Sequence, residues 1–431
     1  MALSPSGLSW AGATLLALFW AGCNRPTSEN IQLWKTTQKG PERLHDALAD
    51  HGVAPRLRAE SAVAMIDIGH AEEVDDLLAG MTADDRAEIA KTLIPDYEVA
   101  MKDPSPERAL AYRDALYSLR QFSAPEEQKR IDEALLPVLE ASLKTGTLRQ
   151  GRHSLDKMLT AIGPDGAAML ARLCAEPEVP IHQTTELLSK VGDETSRERC
   201  GAALVARAPR LRDKQHPEAL FKALGAVGGP SGAKYLEEKV TGADKDDAVL
   251  AARALSARRD PSVLPFALKV AGDPKADRAL RDEMFGVVET IGGLEAEKGL
   301  CGIISSDKDE VVRYRAFEAV LNARKAEGLQ PALEAFPASA AYKKVDVDDL
   351  LVKLIEKLGD PARPALVQAL GSRSSLARMT AVMALEQLGR APDAPALEKL
   401  AGDSAPIKGF PAGDTIGKEA AHAAETVRKR S

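Results

Sequence analysis

Aromatic residues are scarce in this sequence, and their scarcity points away from β-structure. Only 4% of the 431 residues are aromatic, 17 in all. Strands favour aromatic and β-branched side chains, so a core built mainly of aliphatic side chains favours helices. Hydrophobic residues nevertheless make up 45% of the chain, which excludes a disordered protein. The chain is long enough for a large core that needs no disulfides or metal ions.

Cysteine is also scarce, and its spacing argues against a zinc site or a disulfide framework. The four cysteines are Cys23, Cys174, Cys200 and Cys301, and none forms a C-x-x-C pair. Cys174 and Cys200 fall in comparable helices of successive repeats, so they could be neighbours. Helix axes lie about 8 to 10 Å apart, which usually exceeds disulfide reach. We therefore expect free buried thiols, and whether the two cysteines pair stays open.

Excess positive charge and recognisable catalytic motifs are absent as well. The formal net charge is −7, which argues against broad nucleic-acid binding. The seven histidines form no H-E-x-x-H motif and have no cysteine partner at metal-ligand spacing. The segment 413–418 resembles a phosphate loop but is one residue too short and precedes Glu419 instead of Ser or Thr. The sequence therefore predicts no enzyme, no cofactor, no metal site and no small-molecule substrate.

The first 22 residues carry no charged side chain and predict an export signal. Their apolar stretch, about Ala11 to Ala21, is too short to span roughly 30 Å of hydrocarbon as a helix. The boundary Phe19-Trp20-Ala21-Gly22-Cys23 resembles the lipobox of bacterial lipoproteins, in which the cysteine is lipidated. This resemblance implies a signal peptide over 1–22, lipidation of Cys23 and a tether over 23–40. An ordinary secretory signal and a retained anchor are the alternatives.

A short phrase recurs along the chain: an apolar residue, then glycine, and often proline. Its copies are Ile68-Gly69, Ile162-Gly163-Pro164, Val191-Gly192, Val227-Gly228-Gly229-Pro230, Ile291-Gly292, Leu358-Gly359-Asp360-Pro361 and Leu388-Gly389. From Ile162 onward the gaps are 29, 36, 64, 67 and 30 residues. They indicate one unit of 30 to 36 residues, with degenerate copies at Ala257–Pro261 and Asn322–Arg324. Upstream of most glycines, apolar residues recur every third position and line one helical face.

The residues after this apolar stripe predict where each helix ends. At Leu358-Gly359-Asp360-Pro361, Gly359 can close one helix in a left-handed conformation. Asp360 can cap the next helix and Pro361 can occupy its first turn. A unit near 30 residues therefore holds two antiparallel helices of about 11 residues each. One such pair cannot bury its own apolar face, so stacked pairs, an all-α α-solenoid, are predicted.

Several striped helices resemble HEAT repeats, particularly the short repeats of phycocyanobilin-lyase-type proteins. The matching segments are Asp309–Leu321, Leu57–Gly69 and, more loosely, Ser375–Ala381. The resemblance implies a HEAT-like solenoid over 41–431, least regular at about 81–151. It also implies that the repeated arginines form a structural ladder, each bonding an acidic residue or carbonyl of an adjacent unit. These ladder residues are Arg58, Arg313 and Arg378.

The leading functional hypothesis is a membrane-anchored extracytoplasmic scaffold that binds a protein of the bacterial cell envelope, facing the periplasm or the exterior. Repeat solenoids offer extended surfaces suited to that role. One alternative, implied by the resemblance, is a bilin-lyase-like enzyme or chromophore binder; export and the lack of a reactive cluster argue against it. A nucleic-acid-binding solenoid is the second alternative, and the acidic balance argues against it. Contacts are expected on exposed positions of the striped helices, for example Glu60, Asp67, Glu289 and Glu386.

Overall fold

The computed structural model describes residues 25–145, 151–211, 217–340, 347–407 and 414–430. The predicted signal peptide and Cys23 lie outside the described residues, as does part of the predicted tether. The chain divides into two compact units at the junction between Ser196 and Arg197, and each unit is described by itself.

The first unit consists of consecutive α-helices joined by short turns. They are α1 (Ser28–Trp34), α2 (Gly40–Ala49), α3 (Pro55–Asp67), α4 (Ala71–Gly80), α5 (Ala83–Ala100), α6 (Pro106–Leu119), α7 (Pro125–Thr145), α8 (Leu155–Ile162), α9 (Pro164–Leu173) and α10 (Ile181–Val191). The major packing contacts join helices one, two or three positions apart, such as α2 with α3 and α3 with α5. This local pattern is that of stacked helix pairs.

Two features of the first unit depart from the predicted repeat. Helical structure begins at Ser28, within the predicted tether, and α1 buries Ile31 and Trp34 against its neighbours. Across the segment 81–151, α5 and α7 are 18 and 21 residues long and contain Pro95 and Pro137. Both helices are longer than the roughly 11 residues that the predicted two-helix unit allows each helix, which explains why the recurring phrase is missing there.

The second unit contains most of α11 (Glu194–Leu211) and a longer series of helix pairs. Its other α-helices are α12 (Pro217–Val227), α13 (Gly229–Val240), α14 (Lys245–Arg258), α15 (Leu264–Ala271), α16 (Arg278–Ile291), α17 (Gly293–Ser306), α18 (Glu310–Arg324), α19 (Leu329–Glu334), α20 (Lys353–Glu356), α21 (Arg363–Ala369), α22 (Ser375–Leu388), α23 (Ala394–Glu398) and α24 (Ile416–Arg428). Short 3₁₀ turns introduce α15, α19, α21 and α23, and a π-helical turn introduces α20.

The helices of the second unit form two layers. The striped helices α12, α14, α16 and α18 pack on one another in sequence, and α13, α15 and α17 pack mainly on them. Phe285 of α16 and Phe317 of α18 are fully buried between the layers. No strand occurs among the described residues, where one isolated antiparallel bridge joins Pro406 and Thr415. The predicted all-α architecture of stacked helix pairs is therefore confirmed within each unit.

The ends of the striped helices follow the predicted turn chemistry. Gly163, Gly292 and Gly359 have φ values of 74°, 65° and 65°, in the left-handed region that favours glycine. The two degenerate copies retain this backbone geometry without glycine, since Arg259 and Lys325 have φ values of 53° and 56°. Two copies depart from it, because Gly192 and Gly389 follow their helices with φ values of −77° and −65°. The predicted capping by Asp360 is also wrong, since Gly359 is the N-cap residue of the 3₁₀ turn that Asp360 begins and no side chain caps it.

The expectation of free thiols is corrected for two of the cysteines. Cys174 and Cys200 are disulfide-bonded, whereas Cys301 is a free thiol. Cys174 is the C-cap residue of α9. Burial raises the pKa of the Cys301 thiol to about 11.

Candidate functional site

A buried arginine links three helices of the first unit, α2, α3 and α5. Arg58, in the first turns of α3, is only 2% exposed. Its Nε donates to the carbonyl of Leu48 near the end of α2, at 2.8 Å. Its two terminal nitrogens donate to both carboxylate oxygens of Asp85 in the first turn of α5. A buried guanidinium is satisfied here by a bidentate carboxylate and a helix-terminal carbonyl.

Two arginines of the second unit make the same kind of connection. Arg281 of α16 donates to the carbonyl of Ala271 at 2.8 Å and to the carboxylate of Asp307. Arg378 of α22 donates to the carbonyl of Ser372 at 2.9 Å and to Asp403 at 2.7 Å. The sequence analysis missed Arg281. Its position was the available signal, because Arg58, Arg281 and Arg378 each stand eleven residues before the glycine that follows their helix.

Arg313 makes longer contacts than these three arginines. Its guanidinium lies 3.4 Å from the carbonyl of Asp307 and 3.9 Å from Glu310 of its own helix. The positive-φ residue that ends α18 is Lys325, so the position eleven residues earlier is Tyr314, which is buried. Counted from the start of the helix, however, Arg313 is the fourth residue of α18, as the other three arginines are of theirs, so the difference lies in the distance to its partners.

The arginines perturb the carboxylates they bind. Hydrogen bonds from Arg58 hold the pKa of Asp85 below its ordinary value. Burial alone would raise the pKa of Asp403, but hydrogen bonds from Arg378 and from the Ala405 amide outweigh it and lower that pKa. Both carboxylates are therefore charged partners of a structural arginine at neutral pH.

The acidic residues expected to contact a partner are engaged within the chain. Glu60 pairs with Arg56, Glu289 with Arg315, and Glu386 lies 3.4 Å from His422. Their side chains, and that of Asp67, are only 10 to 20% exposed. Arg56 lies four residues before Glu60 on the same helix. The partners of Glu289 and Glu386 come from the next striped helix, so the pattern of charges along one helix does not reveal them.

Asp67 is the centre of the densest of these networks. It accepts from Lys35 at 2.7 Å, from Arg108 at 2.9 Å and from the Tyr112 hydroxyl at 2.8 Å. Burial alone would raise the pKa of Asp67, but these three hydrogen bonds outweigh it and lower that pKa. The residue joins α1, α3 and α6, which makes it a structural hub.

A second polar cluster joins α4, α6 and the segment before α8. The Ser118 hydroxyl lies 2.9 Å from Asp75 Oδ2 and 2.9 Å from His153 Nε2. Arg152 donates through its guanidinium to Asp75 at 2.7 Å and through its backbone N–H to Asp114. No short motif joins these positions, so the sequence carried no signal for the cluster.

Asp114 holds the segment before α8 close to α6. It is 2% exposed and is paired with Arg113, itself 4% exposed. Gly151 lies directly against this pair, and a Cβ at that position would collide with the Asp114 carboxylate. The absence of a side chain at Gly151 lets the backbone approach a buried charge.

Serine, histidine and aspartate together suggest a nucleophile, but their hydrogen bonds argue against one. The charged carboxylate of Asp75 can only accept, so the single hydroxyl proton of Ser118 is donated to it. Ser118 then accepts a hydrogen bond from the Nε2–H of His153. In a catalytic triad the hydroxyl donates to the imidazole and the carboxylate binds the other ring nitrogen. Ser118 is also only 5% exposed, out of reach of a substrate.

The cluster opens through His153 into a cavity of about 590 Å³. One wall is formed by the segment Gly151–Lys157, which includes the start of α8. The other wall comes from Gln183, Glu186 and Leu187 of α10. A cavity of this size lies within the range of small-ligand sites.

The pKa of His153 makes the stability of the first unit depend on pH. Burial lowers that pKa, Arg152 and Lys157 lower it further, and Asp114 and Asp75 act in the opposite direction. The pKa of His153 in the folded protein lies below its unfolded value of about 6.5, so the neutral imidazole stabilises the folded state fully above about pH 6.5. This contribution to the free energy of unfolding is lost as the pH falls from about 6.5 toward the folded pKa.

This dependence can be measured by urea unfolding between about pH 7.5 and pH 5. We expect the wild-type protein to lose more unfolding free energy on acidification than the His153→Gln variant, which has no group to protonate there. Parallel losses in the two proteins would remove His153 as the cause.

In the described part of the chain, no group of three or more His, Cys, Asp or Glu side chains is arranged to hold a metal ion. Within the same residues, no helix combines the length and the hydropathy needed to span a bilayer.

Comparisons with known proteins identify no family. No family model matches the sequence, and no curated protein matches it. A crystal structure of Kap121p aligns over 90% of this chain and 41% of its own at 13% identity, with a TM-score of 0.36. The karyopherin Kap121p bound to the SUMO protease Ulp1p aligns over 95% and 46% at 12% identity, with a TM-score of 0.37.

A third solved structure is human deoxyhypusine hydroxylase in complex with glycerol. It aligns over 79% of this chain and 97% of its own, at 14% identity and a TM-score of 0.20. The chain spans less than half the length of the Kap121p structures. At these identities and TM-scores, neither a partner nor an activity of these proteins can be assigned to this chain. The description of its architecture is therefore based on its own helix packing.

Proposed function

We propose that this protein is a scaffold that binds a protein partner along the exposed face of its stacked striped helices. The observation that carries the proposal is a chain of side-chain bonds across α14, α16 and α18. Arg253 donates to Glu283 at 2.8 Å, and Ser256 and Thr290 lie 3.1 Å apart. Arg315 continues the chain by pairing with Glu289.

These bonds matter for binding because they connect helices of different repeats. Each bond orders two side chains in the free protein. These side chains therefore lose little further rotamer freedom when a partner docks. A surface that is ordered before binding costs less entropy to cover. Several repeats also supply a contact area larger than a single helix pair offers.

We further propose that the scaffold is anchored to a bacterial membrane through lipid on Cys23 and acts outside the cytoplasm. Support comes from the apolar, uncharged segment 1–22 and the lipobox-like boundary before Cys23. The partner would then be another protein of the cell envelope.

Cross-linking in intact cells followed by affinity purification from membranes tests both proposals together. We expect the wild-type protein in the membrane fraction with a reproducible partner. Cys23→Ser should shift the protein out of that fraction, because the lipid attachment atom is lost. Wild-type protein that stays in the aqueous fraction would contradict the anchor.

A charge-reversal pair locates the binding surface. Arg253→Glu, on the striped face, is expected to reduce partner recovery at least about tenfold, as loss of a charged contact can. Lys298→Glu on α17 is the matched control, because its side chain is 62% exposed and Arg253 is 63% exposed, and each pairs with a glutamate. Equal recovery with both variants would show that the partner does not use the striped face.

A further inference from the structure

A second cavity, of about 380 Å³, lies in the second unit beside the first turns of α14 and α16. We call it the α14–α16 cavity. Its lining is largely aliphatic: Val240 and Val270 are buried, and Val249 and Leu280 are half-buried. Apolar surface left partly open to water is stabilised when another apolar group covers it. The lining therefore favours an apolar occupant.

The charged residues of the lining do not select an ion. Lys245 and Lys275 are balanced by Asp273 and Asp277. Lys245 binds Asp277 at 3.3 Å, and Asp273 accepts a hydrogen bond from the backbone N–H of Lys275 at 2.9 Å. A lining without net charge gives an ionic ligand little advantage over a neutral one. We therefore expect the occupant to be neutral.

The cavity lies on the same face as the side-chain bonds that carry the scaffold proposal. On α14, Val249 stands four residues after Lys245 and four residues before Arg253. On α16, Leu280 stands three residues before Glu283. Positions three or four residues apart share one face of a helix. The ion pair of Lys245 and the ion pair of Arg253 with Glu283 thus lie on either side of Val249 and Leu280.

This arrangement is typical of the centre of a protein interface. Binding energy at interfaces is concentrated in a few anchoring side chains that fill pockets, and the surrounding contacts keep water out. The α14–α16 cavity supplies such a pocket, and the two ion pairs beside it supply surrounding contacts. Because both pairs join α14 to α16, they also hold the pocket open before a partner arrives.

We propose that the α14–α16 cavity receives an apolar side chain, such as leucine, from the protein partner of the scaffold. The inference rests on the scaffold function proposed above and adds the chemistry of the residue by which the partner is anchored. The aliphatic lining supplies the attraction, and the absence of net charge on the lining excludes a preference for an acidic or basic anchor.

Methyl NMR of the full chain, labelled at valine and leucine, tests the cavity without the partner. The probe is N-acetyl-leucine methylamide, and N-acetyl-asparagine methylamide is its polar counterpart of similar size. We expect the leucine probe to shift the Leu280 methyl signals saturably in the millimolar range. The asparagine probe should bind at least about tenfold more weakly. Unmoved Leu280 signals, or equal binding of the two probes, would overturn the proposal.

Two variants locate the probe in this cavity. Ala243→Leu enlarges an exposed side chain of the lining and should weaken binding of the leucine probe at least about tenfold, because the new side chain occupies the cavity. Val249→Thr retains the volume but adds a hydroxyl, and should weaken binding about threefold or more. Val311→Thr on α18 is the matched control, because Val311 is 44% exposed outside the cavity. Binding as tight as the wild type in the first two variants would place the probe elsewhere and overturn the proposal.

Recovery of the partner separates this inference from the scaffold function. In the cross-linking experiment, Ala243→Leu should reduce recovery at least about tenfold, as loss of an anchoring contact can. Ala421→Leu, at an exposed position of α24, is the control and should not reduce it. Reduced recovery with Arg253→Glu but not with Ala243→Leu would keep the scaffold surface and overturn the apolar anchor. Unchanged recovery with both variants would overturn the anchor and the scaffold surface together.

Discussion

Replacing Arg281 with methionine is expected to lower the free energy of unfolding of the second unit by about 3 to 5 kcal/mol. Arg281 and Asp307 are each only 8% exposed at their side chains, so the substitution leaves a buried carboxylate without its cation. The carbonyl of Ala271 also loses its donor. Methionine retains the apolar volume of the arginine stem, so the loss reports the charged contacts rather than a cavity. Urea unfolding measures the total, and hydrogen exchange at α15 to α18 locates it.

Arg313→Met is the matched control for this prediction. Arg313 lies in the next striped helix and was expected from the sequence to act as a ladder residue, but its contacts are 3.4 and 3.9 Å long. We expect a loss of about 1 kcal/mol, the size of one ordinary hydrogen bond. Similar losses for both variants would mean that the two arginines share one role and that the longer contacts of Arg313 have no energetic consequence.

Arg58→Met is expected to lower the free energy of unfolding of the first unit by about 3 kcal/mol. Asp85 retains 16% exposure and can recruit water, which places this loss at the low end of the range for broken buried pairs. The Leu48 carbonyl, bonded at 2.8 Å, is left without its side-chain donor. The variant should also become less sensitive to acid, because Arg58 is what holds the pKa of Asp85 below its ordinary value.

Arg56→Met tests whether burial is the cause. Arg56 lies two residues away on the same helix and pairs with Glu60 and Asp96, but its side chain is 58% exposed. Exposed ion pairs contribute about 0 to 1 kcal/mol, so we expect a loss within that range. A loss from Arg56→Met as large as that from Arg58→Met would show that the ion pairs on the striped face carry the stability instead.

The cluster of Ser118, His153 and Asp75 shows why sequence reasoning did not reach the cavity. The three residues are separated by 43 and 35 positions and belong to no common motif. They meet because the segment before α8 packs back on α6, with Gly151 against the Asp114 carboxylate. The relevant contacts depend on the path of the chain after α7, within the part of the sequence where the repeat is least regular.

The repeated arginines differ in their contacts, which the resemblance did not distinguish. The resemblance picked out Arg58 and Arg378, and both meet a carboxylate and a carbonyl from other elements. It also picked out Arg313 and passed over Arg281. Both arginines stand fourth in their helices, so a motif does not tell them apart. What differs is the carboxylate within reach: Arg281 meets Asp307 of another element, whereas Arg313 lies 3.9 Å from Glu310 of its own helix.

By itself, the sequence determined the class of structure and the places where helices end. Apolar residues in steps of three, followed by glycine and often proline, are local signals, since both helix periodicity and left-handed closure depend on a few consecutive residues. The tertiary structure alone decided which charges pair, where the chain divides into two units, and which polar groups line the cavity. Those outcomes depend on groups from different repeats meeting at hydrogen-bond distance, and no pattern within one repeat encodes that distance.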